Sequence, residues 1–248
     1  MWKPVALCTL LALPAAAQEA LPPFELDGNF AYGARQTIDD SDNDIIRFTF
    51  GGTWRFDGAQ QARAALEAGV RNEDFSSSYP AMFGGELSWT WNTSWGRQSG
   101  GGRARWADDR ETSGELAYVI ERFGNTIDLR GMVGVQGVTN SEELDDRDDG
   151  SIFGLAEATW FPTDNLAFWL GLMGDSDGDI GAIGAEYRPS DWPGSFFLEW
   201  GHTLVEYRGF EGYNDLYGGV RFVPRSRTLQ EHRRAVTDRS FVRYVEVQ

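Results

Sequence analysis

Through most of the chain apolar and polar side chains alternate one for one. Phe48, Phe50, Trp54 and Phe56 interleave with Arg47, Thr49, Thr53 and Arg55; Leu87, Trp89 and Trp91 with Glu86, Ser88 and Thr90; Leu166, Phe168, Leu170 and Leu172 with Ala167, Trp169 and Gly171. A period of two puts successive side chains on opposite faces of a strand. No stretch in the body of the chain carries a competing helical period. The pattern predicts about twelve strands, with ten as the alternative count, at 24–35, 45–57, 61–72, 83–93, 102–108, 114–123, 126–137, 151–161, 165–174, 179–188, 195–204 and 215–223. The fifth has the weakest pattern and rests on Arg103, Ala104, Arg105 and Trp106. Without it the alternation of long and short connections breaks.

An even number of strands of about ten residues fits an all-β, closed antiparallel transmembrane barrel, whose tilted strands need roughly 9 to 11 residues to cross the hydrocarbon. Closure also removes exposed edges. Taken alternately, the connections 36–44, 73–82, 109–113, 138–150, 175–178 and 205–214 fall at one end and hold 18 of the 38 acidic residues. The connections at the other end are shorter, and their acids are Asp164 and Asp191. Phe56, Phe123, Trp160, Phe161, Phe168, Tyr187, Trp192, Phe196, Phe197 and Phe222 crowd against those short turns, where an interfacial girdle would sit. The competing reading is a soluble periplasmic β-sandwich, with aromatics packed in its core and the 10 Trp serving glycan binding.

The alternation decides which charges would share a face. If the apolar face meets lipid, the lumen is lined by Arg47, Arg55, Arg63, Glu67, Arg71, Glu86, Arg103, Arg105, Glu121, Asp128, Arg130, Glu157, Glu186, Glu199 and Arg221. An arginine turned to the bilayer midplane would cost roughly 2 to 4 kcal/mol, so these charges require the polar face inside. Such a lining can carry a solute path and set ion selectivity. It can equally form ion pairs that fill the lumen. Eight-stranded barrels are filled and sixteen-stranded ones open, which leaves twelve strands between.

Residues 1–17 read as a secretory signal, with Lys3 before an apolar stretch from Val5 to Leu13 and Ala15-Ala16-Ala17 before Gln18. It holds the one Cys, Cys8, and the one Lys of the chain, so the mature protein has no disulfide, no thiol nucleophile and no thiolate metal site. The formal net charge of -16 disfavours nucleic acid as a partner. Residues 18–223 form the barrel domain, and 224–248 a tail that is basic from Arg225 to Arg239. The tail is expected on the periplasmic side, as a mobile terminus or with Phe241 to Val247 as a short extra strand.

The signal, the ladder of strands and turns such as Phe161-Pro162-Thr163-Asp164-Asn165 and Tyr187-Arg188-Pro189-Ser190-Asp191 together resemble the small outer-membrane β-barrel and porin-like proteins of diderm bacteria, over about residues 24–223. The segment Tyr217-Gly218-Gly219-Val220-Arg221-Phe222 is similar to the aromatic-ended last strand that the family's assembly machinery reads. The chain departs from the family by continuing to Gln248. The resemblance implies the cell outer membrane, with lipid, lipopolysaccharide and the barrel assembly machinery as partners, and a passive channel for small solutes or ions without cofactor.

Other chemistry is weakly marked. Asp175, Asp177 and Asp179 with Glu186 imitate the spacing of a calcium loop, but the position that needs glycine is Ile180. A solvated acidic loop is the better reading, as it is for Asp39 to Asp44 and Glu142 to Asp149. For a hydrolase the histidines are His202 and His232, and His202 shares parity with Trp200, away from the lumen. The expectation is therefore a non-enzymatic barrel, either a channel or a closed structural or binding barrel.

Overall fold

The computed structural model describes residues 23–37, 42–56, 59–73, 81–107, 111–140, 150–174, 178–190, 192–206, 213–222 and 228–235. The signal segment, most of the acidic connections and the strand expected at 241–247 lie outside them. Twelve strands follow in chain order: β1 (Phe24–Thr37), β2 (Asp42–Arg55), β3 (Gln60–Glu73), β4 (Ala81–Thr93), β5 (Gly96–Ala107), β6 (Glu111–Phe123), β7 (Ile127–Asn140), β8 (Ser151–Thr163), β9 (Leu166–Gly174), β10 (Gly178–Tyr187), β11 (Gly194–Glu206) and β12 (Tyr213–Phe222). A short helix, α1 (Leu229–Ala235), comes after them.

Each strand pairs antiparallel with the next, and β1 pairs with β12 from Gly28↔Phe222 to Thr37↔Tyr213, which closes the barrel. The β-sandwich alternative is overturned by that pairing, because a sandwich leaves two separate sheets with edges. The fifth strand begins at Gly96, six residues before its expected start, and the turn before it shrinks accordingly. Gly96, Gly100, Gly101 and Gly102 supply no side chains to alternate, so the period of two is silent where the backbone ladder is continuous.

The faces are inverted relative to a water-soluble barrel. Leu66 and Ile152 are each 71% exposed, Leu87 69% and Phe50 60%, while Arg47, Arg63, Glu186 and Glu199 are buried. Aromatic pairs lie on the outside, among them Phe30 with Phe48 and Trp160 with Phe168. A continuous apolar exterior of this extent far exceeds the patches that soluble monomers expose. Hydrocarbon is the solvent that suits it, and closed strands satisfy the backbone there.

The aromatic girdle at the short turns is real but smaller than expected. Phe56, Trp160, Phe168, Tyr187, Phe196 and Phe222 are exposed outside. Phe161 and Phe197 have the opposite parity and are buried within the barrel. Phe123 is also turned inward, with the guanidinium groups of Arg97 and Arg234 over its ring.

The tail is neither strand nor loose end at 229–235. Thr228 and Glu231 exchange hydrogen bonds, each backbone N–H donating to the other's side chain at 3.1 Å, and this reciprocal cap starts α1. The Leu229 N–H donates to the Asp164 carbonyl at 2.7 Å, which fixes α1 at the short-turn end. Leu229 is fully buried against Phe161 and Ala167.

Candidate functional site in the lumen

The polar lining is assembled by register. Glu67 of β3, Gly84 of β4 and Arg105 of β5 stand opposite one another across three strands. With no side chain at Gly84, Arg105 reaches over β4 and its Nε meets Glu67 Oε1 at 3.0 Å. Arg103 and Arg47 approach the same carboxylate at 3.9 and 4.0 Å. The device recurs where Arg63 crosses Gly51 to donate to Asp27 at 2.7 Å. It also appears in Trp169, Gly184 and Glu199, where the indole donates to the carboxylate at 2.5 Å over the bare glycine.

A methyl group at Gly184 would stand 2.1 Å from the Trp169 ring. Gly184→Ala must therefore tilt the indole off its seat, and the expected cost is about 1 to 3 kcal/mol, as for other overpacked sites. A lowered urea midpoint of the refolded barrel, with the Trp169–Glu199 hydrogen bond lost, is the check.

Of the residues assigned to the lumen from sequence, Arg47, Arg63, Glu67, Arg103, Arg105, Glu186, Glu199 and Arg221 are buried on the inner face. Arg55, Glu86, Glu121, Asp128, Arg130 and Glu157 are half-buried on the same face. Arg71 pairs with Ile45 in register, and its side chain is outside the described set. Arg55 meets Glu25 at 2.8 Å, Arg63 meets Glu86 at 3.3 Å, and Arg103 meets Glu115 at 3.0 Å. Arg97 meets Glu121 at 2.6 Å, and Arg221 meets Glu186 at 2.6 Å.

Several interior residues were not singled out from the sequence. Glu25, Asp27, Glu115 and Asp215 are buried on the inner face, and their strand parity alone identifies them. The sequence pattern leaves 94–101 between two strands, so Arg97 is not in the lining it predicts, whereas β5 starts at Gly96. The apolar cluster of Val119, Met132, Phe153, Leu155, Met173, Ile180 and Ala182 is not in that lining either. It occupies part of the inner face of β6 to β10, between the charged residues, where the lining expected from the sequence names only charged side chains.

The charges are also unevenly distributed around the wall. Strands β1 to β5 carry Arg47, Arg55, Arg63, Arg97, Arg103 and Arg105 against Glu25, Asp27, Glu67 and Glu86. Among the described side chains, strands β6 to β12 carry Glu115, Glu121, Asp128, Glu157, Glu186, Glu199 and Asp215 against Arg130, Arg221 and, one residue past β10, Arg188. The acidic side is the one on which α1 sits. Its Arg233 reaches Glu186 at 3.0 Å and Glu157 at 3.3 Å, and Arg234 reaches Asp128 at 2.6 Å. Arg97 donates to the Arg234 carbonyl at 2.5 Å.

Other candidates are not drawn in. Asp175 and Asp177 lie outside the described residues. Asp179 pairs with Gly174 at the far end of β10, and the described residues contain no acidic or histidine cluster able to hold a metal. His202 is exposed on the outer face, stacked on Trp200 and hydrogen-bonded to Asn214 at 2.9 Å. That is the parity expected from the sequence.

No family model matches the sequence. No curated protein matches it either. Solved structures do share the fold. The outer membrane channel COG4313 from Pseudomonas putida F1 is 10% identical with a TM-score of 0.60, covering 86% of this chain and all of that one. The KdgM porin, solved in complex with disordered oligogalacturonate, is 7% identical with a TM-score of 0.56, covering 79% of this chain and 98% of that one. The translocator domain of the autotransporter NalP from Neisseria meningitidis is 13% identical with a TM-score of 0.52, covering 82% and 89%. At these identities the likeness is one of fold alone, a closed antiparallel β-barrel.

Proposed function

We propose that this protein is an outer-membrane barrel acting as a passive, porin-like channel for small polar solutes or ions, without catalysis. The observation that carries the reading is the inverted barrel: an apolar exterior fit for lipid encloses arginines and carboxylates that no water-soluble barrel needs inside. Two of the structural neighbours are named as a porin and an outer membrane channel, which supports the same reading. His202 on the outer face lies away from the lumen carboxylates, which supports a role other than hydrolysis. Lipid and lipopolysaccharide surround the apolar belt in this reading, and the Tyr217 to Phe222 end of β12 serves as the assembly machinery's signal.

A second reading, a closed structural barrel, has its own support in α1, which occupies the short-turn mouth. Planar-bilayer recording of the refolded full chain separates the two. Discrete, salt-dependent steps are expected for the channel; a folded, heat-modifiable barrel that stays silent at all voltages, with and without Leu229→Ser to loosen α1, would establish the closed one.

A further inference from the structure

Each arginine of α1 rests in a seat made by the barrel wall. The Arg233 guanidinium lies over the Trp169 ring, 4.7 Å from its centroid, and donates to Glu186, Glu157 and the Thr159 hydroxyl at 3.0, 3.3 and 3.5 Å. The Arg234 guanidinium lies 4.8 Å over Phe123 and grips Asp128 with two nitrogens, at 2.9 and 2.6 Å, while donating to the Gly124 carbonyl at 2.6 Å. An aromatic face, a carboxylate placed for two parallel hydrogen bonds and a neutral acceptor make up the recognition chemistry of a planar guanidinium.

The Arg233 seat has supports of its own in the wall. Trp169 is laid flat on Gly184 and held by Glu199. Glu186 is fully buried; the Ser195 hydroxyl donates to its Oε1, and Arg221 donates to Oε2, the oxygen that Arg233 shares. The helix, by contrast, has seven residues, well below the length that is stable alone in water, so it depends on its side-chain anchors. A preorganised site thus holds a weakly self-supporting occupant.

We propose that the short-turn mouth is a binding site for small guanidinium cations, with Arg233 and Arg234 as tethered occupants that a free cation displaces. This deepens the channel reading and rests on it for the solute class: a channel entered through these seats favours guanidinium-bearing solutes over anions. A tethered group acts at an effective concentration in the millimolar range, so the intact chain resists cations below that level.

The test is calorimetric titration of L-arginine amide into the folded full chain, with L-glutamate as the anion probe and heat-modifiable mobility as the check of folding. Arg233→Ala/Arg234→Ala is expected to bind the amide at least tenfold more tightly than the unaltered chain, and adding Glu157→Gln/Glu186→Gln together with Asp128→Asn, which disarms both seats, is expected to cancel that gain. Should the double arginine variant fail to fold, Leu229→Ser, which loosens α1 and leaves the wall intact, is expected to show the same direction. Equal affinity with and without the arginines, insensitivity to Glu157 and Glu186, or equal binding of glutamate would overturn the proposal. Binding without bilayer conductance would overturn the channel reading and leave the site standing; conductance without binding would do the reverse.

Discussion

Leu66→Arg is expected to destabilise the refolded barrel by about 2 to 4 kcal/mol, the cost of a cation on the lipid face near the bilayer midplane. Leu66 sits midway along β3, opposite Phe50 and Gly85, and is 71% exposed on the outer surface. On a protein surrounded by water, the same substitution at so exposed a site would stay within about 0.5 kcal/mol. The two environments thus differ severalfold in what they expect of one residue. The measurement is the urea midpoint of the barrel in phospholipid vesicles, with Leu66→Ser as the smaller perturbation. A midpoint unchanged by arginine would mean that this face does not contact hydrocarbon.

Glu67→Ala is expected to be at least as damaging, for the opposite reason. It removes the carboxylate on which Arg105, Arg103 and Arg47 converge, leaving like charges close together on the inner face of β2 to β5. Loss of one partner of a buried ion pair costs about 3 to 5 kcal/mol, since the remaining charges lose their compensation. Part of this is expected to be relieved by high salt, which screens the arginines. In a conducting barrel the same change should shift the reversal potential toward anion preference. Destabilisation without a shift would mark the cluster as filling rather than lining a path.

The architecture was legible because its driving force is periodic. Lipid outside and charge inside force strict alternation along every strand, so the inner residues Arg47, Glu67, Glu186 and Arg221 follow from parity. The pattern failed where side chains were absent or where polarity did not follow the face. The glycines of β5 hid the start of that strand. Val119, Phe153 and Met173 are apolar on the inner face because they pack against one another there, and Trp169 is inside because Gly184 makes room for it. The seats depend on the tail folding back across the sequence, by 106 and 110 residues for Arg234, to Asp128 and Gly124, and by 47 and 76 for Arg233, to Glu186 and Glu157. Periodicity is blind to such a contact, although the Thr228-x-x-Glu231 cap is a local sign of the helix that makes it.

The central claim is that one face of every strand meets lipid and the other the lumen. It is tested most directly by spin labels placed singly at Leu116, Ala117, Tyr118, Val119 and Ile120 of β6, with Cys8 replaced, in the barrel reconstituted into vesicles. Collision with oxygen dissolved in the bilayer is expected to be high at Leu116, Tyr118 and Ile120, which are exposed outside, and to fall at Ala117 and Val119, which point inward. A flat profile, or maxima at Ala117 and Val119, would contradict the inverted barrel and with it the channel.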